Sequence, residues 1–530
     1  MGQIIHKGRQ MISTTNPLTG VSTATDIEAT SAAEVDRLAS RAQQAAFDFA
    51  ARGREWRARM LEAIADSLES DRDLLVRAAD QETGLGVTRL SGELTRSIFQ
   101  FRLFADALRE GSYVEAMIDQ ATETALGVAP DLRRMLVPIG PVAVFGSSNF
   151  PFAFSVAGGD SASALAAGCP VVLKAHSSHP LTSLRSFEAM SSGLASAGAP
   201  EGTIGLVFGR AAGSLLVAHP AIKAVGFTGS LAAGKALQLA IDHRDEPIPF
   251  YGELSSINPL VITANAADTR WAQIAQGLFT SFTGSAGQLC TKPGIAFVPA
   301  GEAGDHLVEA IRGLVEQAQG QVLLNTRILD AYRDISARLI KRGAVLAART
   351  ATATETGGFL AAPTLLTTRA IHLTDEVTEE CFGPLIVVAR YQTLEELDNA
   401  FGRLPNSLTA TIHAEDDEPE LLSELTSRLS RRSGRIVYNE FPTGVRVSWA
   451  QHHGGPWPAT NSLHTSVGVT AIRRFLRPFV WQNAPQSVLP AELRDGPVPV
   501  PRRLNGRIIL PAEASDPYEG TTSALVDSRA

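Results

Sequence analysis

The chain is poor in cysteine: 530 residues hold only Cys169, Cys290 and Cys381. Their wide separation excludes a disulfide framework and a zinc knuckle, and the expected compartment is a reducing, cytoplasmic one. Long apolar runs are also missing. The most apolar region, residues 137–174, is broken by Pro151, Asp160 and Pro170. A membrane span needs about 20 uninterrupted apolar residues, so no membrane association is expected. The first fifteen residues carry Lys7 and Arg9 but no apolar core of the length an export signal requires. Positive charge is not in excess. With 47 basic against 55 acidic residues the net charge is −8, which argues against nucleic acid as a partner.

What is present suits a well-cored protein, with 44% hydrophobic and 19% charged residues. The length allows two to four domains at roughly 100–200 residues each. Ser31-Ala-Ala-Glu34 forms a capping-box pattern, and Val35, Leu38, Ala42, Ala45 and Phe49 follow at helical spacing. Helical text continues from Trp56 to about Asp80 and from Glu93 to Arg109. Beyond Met135, short apolar runs at 141–145, 170–174, 202–207 and 221–227 alternate with Gly/Ala-rich helical stretches at 155–167, 182–197 and 211–218. That alternation predicts βαβ units and a parallel sheet. A second α/β region starts at Glu253 and runs to about Ala450, with strands expected at 259–262, 295–298, 385–390 and 435–439. A late strand is expected at 477–485. After Pro490 the text turns rich in Pro, Gly and small polar residues, and the chain from about Pro511 is expected to be poorly ordered.

Five local patterns carry chemistry. In Phe227-Thr-Gly-Ser-Leu-Ala-Ala-Gly234 a strand runs through Gly229 into Ser230, a helix-capping residue. Gly229 and Gly234 allow close backbone approach, and the helix N-terminus offers N–H groups to a phosphate; a plain strand-to-helix turn is the other reading. In Gly287-Gln-Leu-Cys-Thr-Lys-Pro-Gly294 a cysteine sits among polar and turn residues, unlike a core cysteine, and a thiolate is a strong nucleophile toward carbonyl carbon. Glu253, before an apolar strand, is a general base or a solvated strand end. Asn149, after a buried strand, donates to an oxyanion or shapes a turn. Glu379-Glu-Cys-Phe-Gly-Pro384 is a loop entering a strand. His452 and His453 adjoin on one loop with no third ligand in view, so no metal is expected.

Taken together, Asn149, Lys174, Gly229-Ser230, Glu253, Cys290, Glu380-x-Phe-Gly-Pro384 and Asn439 resemble the aldehyde dehydrogenase superfamily, over nearly the whole chain. Gly146-Ser-Ser-Asn-Phe-Pro151, Cys290-Thr-Lys-Pro-Gly294, Phe441-Pro-Thr-Gly-Val445, His452-His-Gly-Gly-Pro-Trp-Pro458 and Arg477-Pro-Phe-Val-Trp-Gln-Asn483 are similar to α-ketoglutaric semialdehyde dehydrogenases and related fatty aldehyde dehydrogenases. The resemblance implies an α/β fold. A doubly wound cofactor domain (1–112 and 140–252) precedes a catalytic α/β domain (253–469). A bridging, oligomerising element (113–139 and 470–490) is followed by a C-terminal extension (491–530).

The resemblance also implies that Cys290 attacks the aldehyde, that Asn149 and the Cys290 N–H hold the oxyanion, and that Glu253 activates the water that hydrolyses a thioester. Ser230 would touch the cofactor pyrophosphate, Lys174 the adenosine ribose, Glu380 the nicotinamide ribose, and Phe382 the nicotinamide ring. Relatives selective for NAD carry a glutamate where this chain has Ser177. With Lys174 and Arg210 able to neutralise a 2′-phosphate, NADP is expected to be accepted and preferred over NAD. Phe150, Asn439, Arg446 and His453 are expected along the substrate path, Arg446 meeting a substrate carboxylate or lying on the surface. The expected substrate is 2,5-dioxopentanoate, with a medium or long aliphatic aldehyde as the alternative and a non-catalytic scaffold as the remote one. A homodimer or homotetramer is implied.

Overall fold

Strands read as continuous Val/Leu runs belong inside a parallel sheet covered on both faces. Val142–Phe145 and Val171–Lys174 are such a pair and run side by side in parallel. The computed structural model describes residues 5–6, 9–351, 357–374 and 379–511. Across the first sheet the strands follow the order Ile204–Val207, Val171–Lys174, Val142–Phe145, Ala224–Thr228, Phe250–Glu253, all parallel. Side chains alternate between two cores, as period-2 geometry requires. Val142 and Val144 join one cluster with Leu61, Leu94 and Leu165, while Ala143 and Phe145 join another with Val35, Leu216 and Phe227. The chain winds outward from Val142–Phe145 and then returns to its other side with Ala224–Thr228. The crevice beyond the carboxyl ends at that reversal is where doubly wound sheets bind dinucleotides.

Ser31 caps the helix Ala32–Ala51, its side chain accepting from the Glu34 N–H. The helical text after Trp56 resolves into two helices, Arg54–Ser70 and Arg72–Thr83. They break at Asp71, a residue whose side chain competes with helical backbone bonding. The next helix is longer than its apolar pattern suggested, Val87–Glu110, with left-handed glycines at both ends. The stretch from Ser155 turns before it becomes helical at Gly159–Ala167, because its first residues fold back on themselves: Gly158 donates to the Ser155 carbonyl and Gly159 to that of Ala153.

From Glu253 the chain crosses in five residues to Pro259–Ile262, an inner strand of a second sheet. Its order is Val345–Arg349, Thr364–Arg369, Leu385–Tyr391, Ile295–Pro299, Pro259–Ile262, Ser407–His413, Ser433–Tyr438, parallel except for the first strand. A third sheet pairs Leu476–Gln482, Leu132–Pro138 and Ala116–Asp119, and two strands from beyond Pro490, Arg502–Leu504 and Arg507–Ile509, extend it. The expectation of poor order past Pro511 falls on residues 512–530, which lie outside the described residues. Near the amino end an antiparallel pair, Arg9–Thr15 and Ser22–Glu28, precedes the first helix; its short polar text gave no apolar signal. Among the described residues no helix is long and apolar enough to cross a membrane.

Candidate active site

The helix Ala264–Thr283 ends at Gly284, and Ser285, Ala286 and Gly287 then take φ values of 50°, 56° and 68°. Left-handed backbone at non-glycine residues persists only where surroundings enforce it. Here Arg89 Nε donates to Ser285 Oγ at 2.8 Å, and the Gln288 N–H closes a turn on the Ser285 carbonyl. The turn delivers Cys290, partly buried, to the junction of the two parallel sheets. Asn258, itself left-handed, donates from Nδ2 to the carbonyls of Cys290 (2.8 Å) and Lys292 (3.0 Å). Its Oδ1 accepts from Ser256 and Thr409, so one amide ties the cysteine loop to two strands.

Glu253 closes the last strand of the first sheet and is 2% exposed. It accepts from His453 Nε2 at 2.9 Å and from Ser466 Oγ at 2.5 Å. His453 Nε2 lies 3.5 Å from Cys290 Sγ. The ligand-type atoms of Glu253, Cys290 and His453 all fall within 4.8 Å of one another. Burial pushes the Glu253 carboxyl up, but His453, Ser466 and Cys290 outweigh it and hold it below its usual value. Burial, then the Glu253 charge, pushes the Cys290 thiol well above the usual thiol range. The resting pair is therefore a neutral thiol beside a carboxylate, arranged for the carboxylate to take the proton.

Asn149 follows the central strand of the first sheet and is buried. One hydrogen of its amide goes to the Gln288 carbonyl at 2.9 Å, which leaves the second available to a ligand. The Cys290 N–H has no acceptor among the described residues. The turn around Asn149 is fixed from the helix Val87–Glu110. Arg89 Nη2 donates to the Asn149 carbonyl, and buried Glu93 accepts from the N–H groups of Phe152 and Ala153 while pairing with Arg89 at 2.9 Å. Sequence reasoning placed Glu93 in a helix without a role and left Arg89 outside that helix. The signal was there, since Arg89, Glu93, Arg96 and Gln100 form one polar stripe flanking the apolar stripe of Leu90, Leu94 and Phe101.

At the cofactor crevice Ser230 caps the helix Leu231–Asp242, accepting from the Ala233 N–H. A Cβ at Gly229 would lie 2.7 Å from the Phe227 ring, and one at Gly234 would lie 2.3 Å from Leu254. Gly234 thus serves close helix packing. Lys174 ends its strand with Ser177 exposed just beyond it. Burial, then the charges of Arg327 and Arg210, lower Lys174 to about 8. Arg210 opens the helix Arg210–Ala218 and Arg327 is the second residue of the helix Thr326–Lys341. Cations at helix N-termini are unfavourably placed, and none of these three pairs with a carboxylate among the described residues. Three unpaired cations and two helix N-termini fit a bound phosphate. Arg327, on a surface helix far along the chain, gave no sequence signal.

Glu380 is partly buried; burial pushes it up to about 7, opposed by Lys292 and by the nearby Ser255 side chain and Ser256 backbone. Buried Lys292 clamps this loop, donating from Nζ to the carbonyls of Cys381 and Leu385 at 2.9 Å each. Phe382 follows, partly buried. Of the expected substrate-path residues, Phe150 packs 5.3 Å from Phe154, whose ring lies 6.2 Å from His453. Asn439 is turned elsewhere: its amide exchanges bonds with Ala414 and accepts from Arg270, joining two strand ends. Arg446 is exposed and enters none of the hydrogen bonds of the Cys290 cluster.

A cysteine, a carboxylate and an amide converge where the parallel sheet meets the mainly parallel one, a set suited to a thiol nucleophile with a base and an oxyanion donor beside it. The chain belongs to the aldehyde dehydrogenase family, whose sequence model matches residues 4–456. It is 41% identical over 488 residues to an alpha-ketoglutaric semialdehyde dehydrogenase of Acinetobacter baylyi, covering 89% of this chain and 91% of that one. It is also 41% identical over 484 residues to alpha-ketoglutaric semialdehyde dehydrogenase 2 of Azospirillum brasilense, covering 90% and 92%. Among solved structures, aldehyde dehydrogenase 21 of Physcomitrella patens, crystallised with the reaction product succinate, shares the fold. That match has a TM-score of 0.75 at 21% identity and covers 91% of this chain and 96% of the other.

Proposed function

We propose that this enzyme oxidises 2,5-dioxopentanoate to 2-oxoglutarate, acting with NAD or NADP and preferring NADP. The substrate reading is carried by the 41% identity, across nearly nine-tenths of the chain, to two proteins named for that semialdehyde. The cofactor reading is supported by Lys174, Arg210 and Arg327, whose unpaired charges suit a 2′-phosphate. Ser230 and the helix N-terminus it caps are suited to the pyrophosphate, and Glu380 and Phe382 to the nicotinamide riboside.

Glu253 accepts the Cys290 proton, and Sγ attacks the aldehyde carbon. The free hydrogen of the Asn149 amide and the Cys290 N–H stabilise the oxyanion of the thiohemiacetal. A nicotinamide held by Ser230, Glu380 and Phe382 would supply the hydride acceptor, and loss of hydride from the thiohemiacetal leaves the acyl group on Cys290 as a thioester. Glu253 passes the thiol's proton on to solvent; oriented by His453 and Ser466, it then takes a proton from the water that attacks the thioester, and Cys290 leaves as the thiolate. We further propose that the edge strand Leu476–Gln482, with Phe479 and Val480 exposed, meets a second copy in a homodimer or homotetramer, which sedimentation of wild type against Val480→Lys tests.

Initial rates with 2,5-dioxopentanoate, succinic semialdehyde, hexanal and decanal, each with NADP and NAD, test the main proposal. The expected result is the highest kcat/KM for 2,5-dioxopentanoate with NADP, and none for Cys290→Ala. A higher kcat/KM for decanal overturns the substrate reading, and a higher one with NAD overturns the cofactor reading.

A further inference from the structure

Two arginines rise from the same face of the helix Val87–Glu110, and only one is satisfied. Each nitrogen of Arg89 is bonded, to Ser285, Glu93 and the Asn149 carbonyl in turn. Arg96, two turns on, is not satisfied. Its Nε and Nη2 are shut off from solvent and have no hydrogen-bond partner. Glu93 does not serve it, because one carboxylate oxygen takes Arg89 and the other takes two backbone N–H groups. Buried donors left unbonded are destabilising, so such a group in a working cleft awaits an acceptor.

The location is specific. The Arg96 guanidinium lies 5.0 Å from the Phe154 ring and 6.0 Å from the Phe150 ring. Phe150 is the residue after Asn149. Phe154 packs against His453, whose Nε2 is 3.5 Å from Cys290 Sγ. The two aromatic rings therefore hold a cation beside the path to the nucleophile. Nε and Nη2 also form one edge of the guanidinium, the fork that grips a carboxylate with two parallel bonds. Elsewhere in this chain Arg37 and Arg72 use that edge on Glu34 and Glu69. Arg435, which also interacts electrostatically with Cys290, has both Nη atoms tied to the carbonyls of Pro442 and Gly444 and leaves only Nε unbonded, so it lacks the free two-nitrogen edge that Arg96 has.

We propose that Arg96 is the specificity-determining residue that binds the terminal carboxylate of the semialdehyde through its Nε–Nη2 edge. The proposal rests on the reading of the substrate as an aldehyde that carries a carboxylate. It names the contact that separates such a substrate from an alkanal.

The test compares wild type with Arg96→Met, Arg96→Gln and Arg96→Lys on 2,5-dioxopentanoate and on pentanal, its uncharged counterpart in length. For Met and Gln the ratio of kcat/KM between the two aldehydes is expected to fall about 100-fold, mainly through KM, with partial recovery in Arg96→Lys. A second readout needs no turnover: 2-oxoglutarate is expected to slow alkylation of Cys290 in wild type and not in Arg96→Met. An equal loss on both aldehydes, or an unchanged ratio with protection retained, overturns the role of Arg96 while leaving aldehyde oxidation in place. If wild type prefers pentanal, the substrate proposal itself fails. The Arg96 inference then stands or falls on succinic semialdehyde against butanal in the same variants. Should Met and Gln not yield folded protein, Arg96→Lys decides on the same ratio.

Discussion

Gly287 and Gly383 meet backbone to backbone: a Cβ on Gly287 would lie 2.2 Å from the Gly383 carbonyl oxygen. Gly287 also has a φ of +68°, so both space and conformation demand glycine. The contact locks the nucleophile loop to the Glu380–Pro384 loop, and Lys292 clamps the same pair through Cys381 and Leu385.

Gly287→Ala should therefore separate the two loops. A displacement near 1 Å at reacting groups costs about 100-fold in rate. Steady-state kinetics should show kcat reduced by about that factor with KM for the cofactor raised. Gly284→Ala is the control. Its φ is −52° and a Cβ there meets nothing nearer than Leu289 at 3.8 Å, so it should behave as wild type.

The thiol and the carboxylate oppose each other. Burial and the Glu253 charge both raise Cys290, so removing the charge lowers it. Alkylation of wild type by iodoacetamide should be slow at neutral pH and rise about tenfold per pH unit through the alkaline range. Glu253→Gln should shift that profile to lower pH while reducing aldehyde turnover by roughly 10²–10⁴-fold. A profile that does not move would mean that Glu253 does not act on the thiol.

Lys174 supplies a second pH dependence. Burial and the two arginines lower it to about 8. Below that pH the ammonium is charged and attracts a 2′-phosphate; as pH rises through 8 the charge is lost. The Kd for NADP should then weaken by up to about tenfold per pH unit, with NAD little affected. Fluorescence titration between pH 6.5 and 9.5 reads both. Arg327→Ala should weaken NADP in the same selective way.

Asn149→Ala should lower kcat by about 10²–10³-fold, the usual loss of one oxyanion donor. Alkylation of Cys290 should persist in this variant, since the amide donates to Gln288 and to no group on the thiol. Loss of both together would instead indicate collapse of the turn that Arg89 and Glu93 hold.

Much of this protein is written locally. Continuous apolar runs such as Val171–Leu173 predict strands buried on both faces, and Ser31-Ala-Ala-Glu34 starts a helix that the structure caps at Ser31. Cys290 stood out because a cysteine among Gly, Gln and Thr has no place in a core. These are short-range properties of propensity, periodicity and turn chemistry, and the sequence by itself determined them. It also carried the family, through motifs spread along nearly the whole chain.

What it left open depends on distance in space. His453 lies 200 residues from the Glu253 it orients, and the adjacent histidine pair looked like an isolated loop feature until the fold brought Glu253, Cys290 and Ser466 to it. Arg96 reads as one charge on an amphipathic helix, and only packing shows that its fork is buried without a partner. Arg327 acts on Lys174 because the fold brings the helix Thr326–Lys341 near the end of its strand, and Arg502–Leu504 becomes a strand because Ala116–Asp119 has a free edge to receive it. Burial, partner and charge environment are properties of the assembled chain, and tertiary structure alone decided them.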